Sequence, residues 1–66
     1  MDVLIKLKSG RKLLARDIDD FDNVIIYSKN GSTFKFEKLA VKSYTIKVSE
    51  NVFTVIPKYG RYDFNA

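Results

Sequence analysis

The sequence contains no cysteine, no histidine and no tryptophan. Without cysteine no disulfide can staple the chain, and without cysteine and histidine the usual zinc ligand sets are excluded. The lack of histidine also removes the side chain that most often moves protons near neutral pH. Proline occurs once, at Pro57, and glycine three times. There is no linker, low-complexity segment or internal repeat, and no stretch has convincing helical periodicity. No apolar run approaches the roughly 20 residues of a membrane-spanning helix. The N-terminus has no basic region followed by a long apolar stretch, so no signal peptide is expected. Absence of cysteine fits a reducing compartment, and a cytoplasmic location is the expectation.

What the chain does have is positive charge and alternating strands. Twelve Lys+Arg face eight Asp+Glu, a net charge of +4 in 66 residues. That balance, with a pI of about 9.5, favours anionic partners such as nucleic acid, nucleotides or acidic proteins. Residues 1–66 make one small domain, with residues 58–66 as an aromatic and basic tail. A chain this short buries only about 60% of its unfolded surface. Oligomerisation is the expected source of further stability.

The stretch Leu7 to Ser28 reads as a meander of strand, tight turn, strand, acidic turn and strand. Val3, Ile5 and Leu7 alternate with Lys6 and Lys8, the period-two pattern of a half-buried strand. Gly10 marks the first turn, and a Ser9-Gly10-Arg11 loop would set Leu7 against Leu13 and Ile5 against Ala15. Residues 17–23, rich in Asp, read as a wet turn pinned to the core by Ile18 and Phe21. Val24 to Tyr27 resumes as strand. Asn30-Gly31 predicts a type I′ hairpin with Tyr27 opposite Phe34, Ile25 opposite Phe36, and Ile26 opposite Lys35 on the other face. Residues 37–43 read as a short connection, with a 3₁₀ turn or the start of a strand at Val41. Tyr44, Ile46 and Val48 mark the next strand, and Val52 to Ile56 the last, stopped by Pro57. A Glu50-Asn51 loop would pair Val48 with Phe53 and Ile46 with Val55; a three-residue loop would pair Val48 with Val52. Five or six short antiparallel strands with frequent turns predict an all-β fold, a small SH3-like or Sm-like barrel.

The segment KLKSGRKLLARDIDDFDNVII resembles the first motif of the Sm-like family, and bacterial Hfq in particular. Gly10 fills the turn position, Lys12-Leu13 the Lys-Leu pair, Ile18 the aliphatic position, and Phe21-Asp22-Asn23 the Phe-Asp-Gln position. Lys38-Leu39-Ala40-Val41 is similar to the Lys-His-Ala-Ile stretch before the last barrel strand of Hfq. The resemblance spans roughly residues 3–48. It implies a barrel, RNA binding and ring assembly, with Asn23 and Lys38 contacting uridine and Phe21 packing the turn. The chain departs from the family in lacking its N-terminal helix, in carrying Leu39 for the pore histidine and Glu37 for the tyrosine, and in residues 52–66, which have no counterpart.

No catalytic set is present: the serines have no histidine to activate them, and the carboxylates cluster in a turn without the glycine and terminal glutamate of a calcium loop. A non-enzymatic binding module with no cofactor and no metal is therefore expected. Lys6, Lys8, Arg11 and Lys12 surround the first hairpin and make the densest basic cluster and the best phosphate contact, with Lys8, Arg11 and Lys12 the candidate contacts. In the tail, Tyr59, Arg61 and Tyr62 interleave aromatics with a cation, suited to stacking bases or to filling a partner's pocket. The leading expectation is RNA or other nucleic-acid binding as a homo-oligomer. The alternative is a small inhibitor or adaptor, of viral or mobile-element type, that binds a protein or a small anionic nucleotide.

Overall fold

A computed structural model describes residues 2–60. Among the described residues there are seven strands: β1 (Val3–Leu7), β2 (Lys12–Ala15), β3 (Asp17–Phe21), β4 (Val24–Lys29), β5 (Ser32–Glu37), β6 (Val41–Val48) and β7 (Asn51–Val55). A 3₁₀ turn, Lys38–Ala40, joins β5 to β6. The described residues contain no helix long and apolar enough to cross a membrane.

The strands form two antiparallel sheets, ordered β2-β1-β6-β7 and β3-β4-β5, and the expected barrel is not closed. The chain crosses between sheets at Arg16, whose backbone N–H donates to the Ser28 carbonyl at 2.9 Å. The core lies between the inner faces. Val3, Ile5, Leu7, Leu13, Ala15, Val41, Tyr44 and Ile46 come from the larger sheet, Ile25 and Tyr27 from the smaller. Removing Ile5 or Ile25 from water is worth about 1.5–3 kcal/mol each, since both are fully buried. Tyr27 stacks on Phe34 and on Phe36, with ring centroids 5.4 and 5.1 Å away.

The β4–β5 hairpin has the register expected from its turn, with Tyr27 opposite Phe34, Ile25 opposite Phe36 and Ile26 opposite Lys35. Asn30 and Gly31 take the positive φ, 53° and 79°, that a type I′ turn requires. The first hairpin differs from expectation by two residues in register. Ile5 lies opposite Leu13 and Val3 opposite Ala15, because the loop is Lys8-Ser9-Gly10, closed by Leu7 N–H to the Arg11 carbonyl at 2.8 Å. A three-residue loop wants its left-handed residue last, and Gly10, with φ 95°, occupies that third position. The β6–β7 loop is Ser49-Glu50, neither of the two expected, with Ile46 opposite Phe53 and Tyr44 opposite Val55. In the first hairpin, and in the second relative to the Glu50-Asn51 loop, the shift is two residues and each side chain keeps its face; relative to the three-residue loop it is one residue, which reverses the face of β7.

The acidic stretch is the larger correction. Residues 17–21 form a strand, and the turn is confined to Asp22-Asn23, with Asp22 at φ 44°. Ile18 packs against the core as expected. Phe21 instead alternates to the outer face and is 39% exposed. Asp20, expected in a wet turn, is 1% exposed.

Candidate nucleic-acid interface

The burial alternation of the larger sheet fixes what its outer face carries. Lys12 and Leu14 of β2, Leu4 and Lys6 of β1, Thr45 and Lys47 of β6, and Val52 and Thr54 of β7 all point away from the core. The Thr45 and Thr54 hydroxyls, 3.2 Å apart, confirm that β6 and β7 share this face. Around its margin stand Lys8 and Arg11 in the first loop, Arg16 after β2, and Lys42, the extra residue where the β1–β6 register shifts. Lys6, Lys8, Lys12, Arg16, Lys42 and Lys47 make no ion pair among the described residues. Lys6 and Lys12 lie directly opposite each other, a like-charge pairing that costs the free protein stability. Of the expected cluster, Lys6 and Lys12 lie on this face, with Lys47 further across it, while Lys8 and Arg11 are exposed at the hairpin end.

The outer face of the smaller sheet has the opposite character. Asp17 and Asp19 of β3 and Glu37 of β5 share it with Lys35. A shallow open groove of about 280 Å³ there is lined by both aspartates, Ser28 and Thr33. Two carboxylates at its wall make it unsuited to an anion.

The remaining candidates gather at one corner. The Lys38 backbone N–H donates to the Asn23 carbonyl at 2.9 Å, and Gly60 N–H to the Asp22 carbonyl at 3.1 Å. These bonds bring Asn23, Lys38 and residues 58–60 together. Asn23 is exposed, as is Tyr59 at 67%. Arg61 and Tyr62 lie outside the described residues. Lys38, assigned to uridine by the Sm-like resemblance, is buried. Its ammonium meets Asp20 Oδ1 at 2.5 Å as an ion pair, without the geometry of a directed hydrogen bond. It also donates to the Lys58 carbonyl at 2.7 Å and to the Gly60 carbonyl. The Tyr44 hydroxyl donates to Asp20 Oδ2. A buried charge needs such partners, and the cluster ties β3, β6, the 3₁₀ turn and the segment after β7 into one interior network.

Sequence reasoning missed this cluster, although its signal is present. If residues 17–21 form a strand with Ile18 inward, Asp20 is inward too, and a buried aspartate demands a cation. Comparison of the chain with protein-family models, curated proteins and solved structures finds no match.

Proposed function

We propose that this protein is a non-enzymatic module that binds single-stranded RNA or a similar polyanion across the outer face of the β2-β1-β6-β7 sheet. The observation that carries this reading is the set of cations on one face with no carboxylate partner among the described residues, including Lys6 against Lys12. Phosphates between these lysines relieve their repulsion and release counterions. Leu4 and Leu14, paired at the same face, give an apolar strip for sugars and base edges. The Sm-like resemblance of residues 3–48 also favours RNA, while the binding surface proposed here is the sheet face and not the corner of Asn23 and Lys38.

The test is fluorescence anisotropy of a labelled mixed-sequence RNA at several salt concentrations. Binding should weaken steeply with salt, and each lysine replaced at Lys6, Lys12 or Lys47 should lower the log–log slope by roughly 0.7. Binding that ignores salt, or that survives the triple replacement, refutes this reading.

A further inference from the structure

The strand registers arrange the outer face of the larger sheet in rows. Leu14 lies opposite Leu4, Leu4 opposite Thr45, and Thr45 opposite Thr54. One row therefore crosses all four strands, a span of about 14 Å at the usual strand spacing. Half of it is apolar and half is hydroxyl. On one side, about 7 Å along the strands, the next row is Lys12, Lys6 and Ser43. On the other side Lys47 stands opposite Val52. Cations thus flank the central row on both sides.

None of these rows contains an aromatic side chain, so bases have no ring to stack on. A nucleic-acid strand crossing the face meets it with its sugar–phosphate side, phosphates toward the lysines and sugars over the central row. What the face can then read is the sugar. The Thr45 and Thr54 hydroxyls are 3.2 Å apart and share one hydrogen bond. That bond uses one O–H. The other O–H remains free to donate, and both oxygens can still accept. A ribose 2′-hydroxyl is likewise both donor and acceptor, and it is the group that separates RNA from DNA. Thr54 is exposed and Thr45 half-buried, so the pair is open to a ligand while the ladder holds it in place.

We infer that the Thr45–Thr54 pair binds a ribose 2′-hydroxyl and makes this face select RNA over DNA. The inference rests on the polyanion reading above and adds to it the identity of the sugar. Against a deoxyribose strand the pair meets a C–H group, and its free donor gains nothing over water. Against ribose it gains a hydrogen-bonded contact, about three- to tenfold in affinity. Cross-strand threonines also stabilise a sheet on their own. That role predicts no difference between the two nucleic acids, so sugar preference separates it from recognition.

The test is fluorescence anisotropy with labelled oligouridylate and oligodeoxyuridylate of equal length, which differ only in the 2′-hydroxyl, at low and at raised salt. The full chain should bind the ribose strand about three- to tenfold more tightly, and both complexes should weaken with salt. Thr45→Val with Thr54→Val keeps the side-chain shape and suits a strand. It should leave the circular dichroism spectrum and the salt dependence unchanged and bring the two affinities together by weakening the ribose complex. Thr54→Val alone, on the edge strand, should lower the preference, and Thr54→Ser, which keeps a hydroxyl, should retain it. Equal affinity of the parent chain for the two strands, or a preference that survives both valine variants, overturns the inference and leaves the polyanion reading standing. Absence of salt-sensitive binding to either strand overturns both.

Discussion

Replacing Lys38 with methionine tests the interior network most directly. The side chain keeps its length and loses its charge. Asp20, 1% exposed, then retains the Tyr44 hydroxyl and loses its cation, and the carbonyls of Lys58 and Gly60 lose their ammonium donor. Breaking a buried pair from one side costs about 3–5 kcal/mol. At roughly 0.05–0.15 kcal/mol per residue the whole chain has only about 3–10 kcal/mol of stability, so Lys38→Met should remove a large share of it and move the unfolding midpoint far below that of the parent. The companion Asp20→Leu with Lys38→Met removes both charges. Both variants lose the donor to the two carbonyls, so the double variant differs in exchanging the uncompensated Asp20 charge for the loss of the Tyr44 hydroxyl's acceptor, about 1–3 kcal/mol. The double variant should therefore be more stable than Lys38→Met alone, the reverse of additivity. Urea titration followed by far-ultraviolet circular dichroism measures both. A Lys38→Met midpoint close to that of the parent, or a double variant no better than the single, would refute a desolvated ion pair in the interior.

Three further outcomes follow from named positions. Tyr44→Phe should cost about 1.5–3 kcal/mol in the same urea titration, the worth of a hydrogen bond to a charged acceptor. Gly31→Val should destabilise by about 1–2 kcal/mol, because φ 79° is a left-handed conformation that a side chain resists; an unchanged midpoint would exclude the type I′ turn. Lys6→Thr should raise the stability of the free protein by about 0.2–1 kcal/mol by removing the opposition to Lys12, while lowering RNA affinity in the anisotropy assay. A change of the same sign in both would separate the lysine pair from binding.

How much of this was legible in the sequence differs from element to element. Asn30-Gly31 specified its hairpin to the residue, because few dipeptides satisfy two consecutive positive φ angles. The faces of β1, β2 and β6 were legible from alternation, but their registers were not, since a shift by two residues preserves every face; the face of β7 stayed open between two loop lengths. β3 was hidden by its own composition. Asp17, Asp19 and Asp20 are poor strand formers, and the reason Asp20 can sit in a strand interior is a lysine eighteen positions further along the chain and a tyrosine six beyond that. The same long-range pairing explains Lys38: by local pattern it was a surface cation, and only the packed structure turns its ammonium inward. Whether the sheets close into a barrel depends on how the chain turns at Arg16, and no local propensity encodes that. For the binding surface, the hairpin cluster Lys8, Arg11 and Lys12 was legible, and the contribution of Lys47 required knowing that β6 lies beside β1.

The bonds from the Lys38 ammonium to the carbonyls of Lys58 and Gly60 span twenty and twenty-two residues. They cannot form until β6 and β7 have been made and the chain has returned to the β3–β4 turn. Each closes a loop of about twenty residues, whose entropy opposes the contact until the rest of the fold holds its ends near. During synthesis, a chain emerging from the ribosome holds Asp20 and Lys38 well before it holds residues 58–60. Until that segment docks, the Lys38 ammonium beside Asp20 lacks the two carbonyls that complete its set of partners.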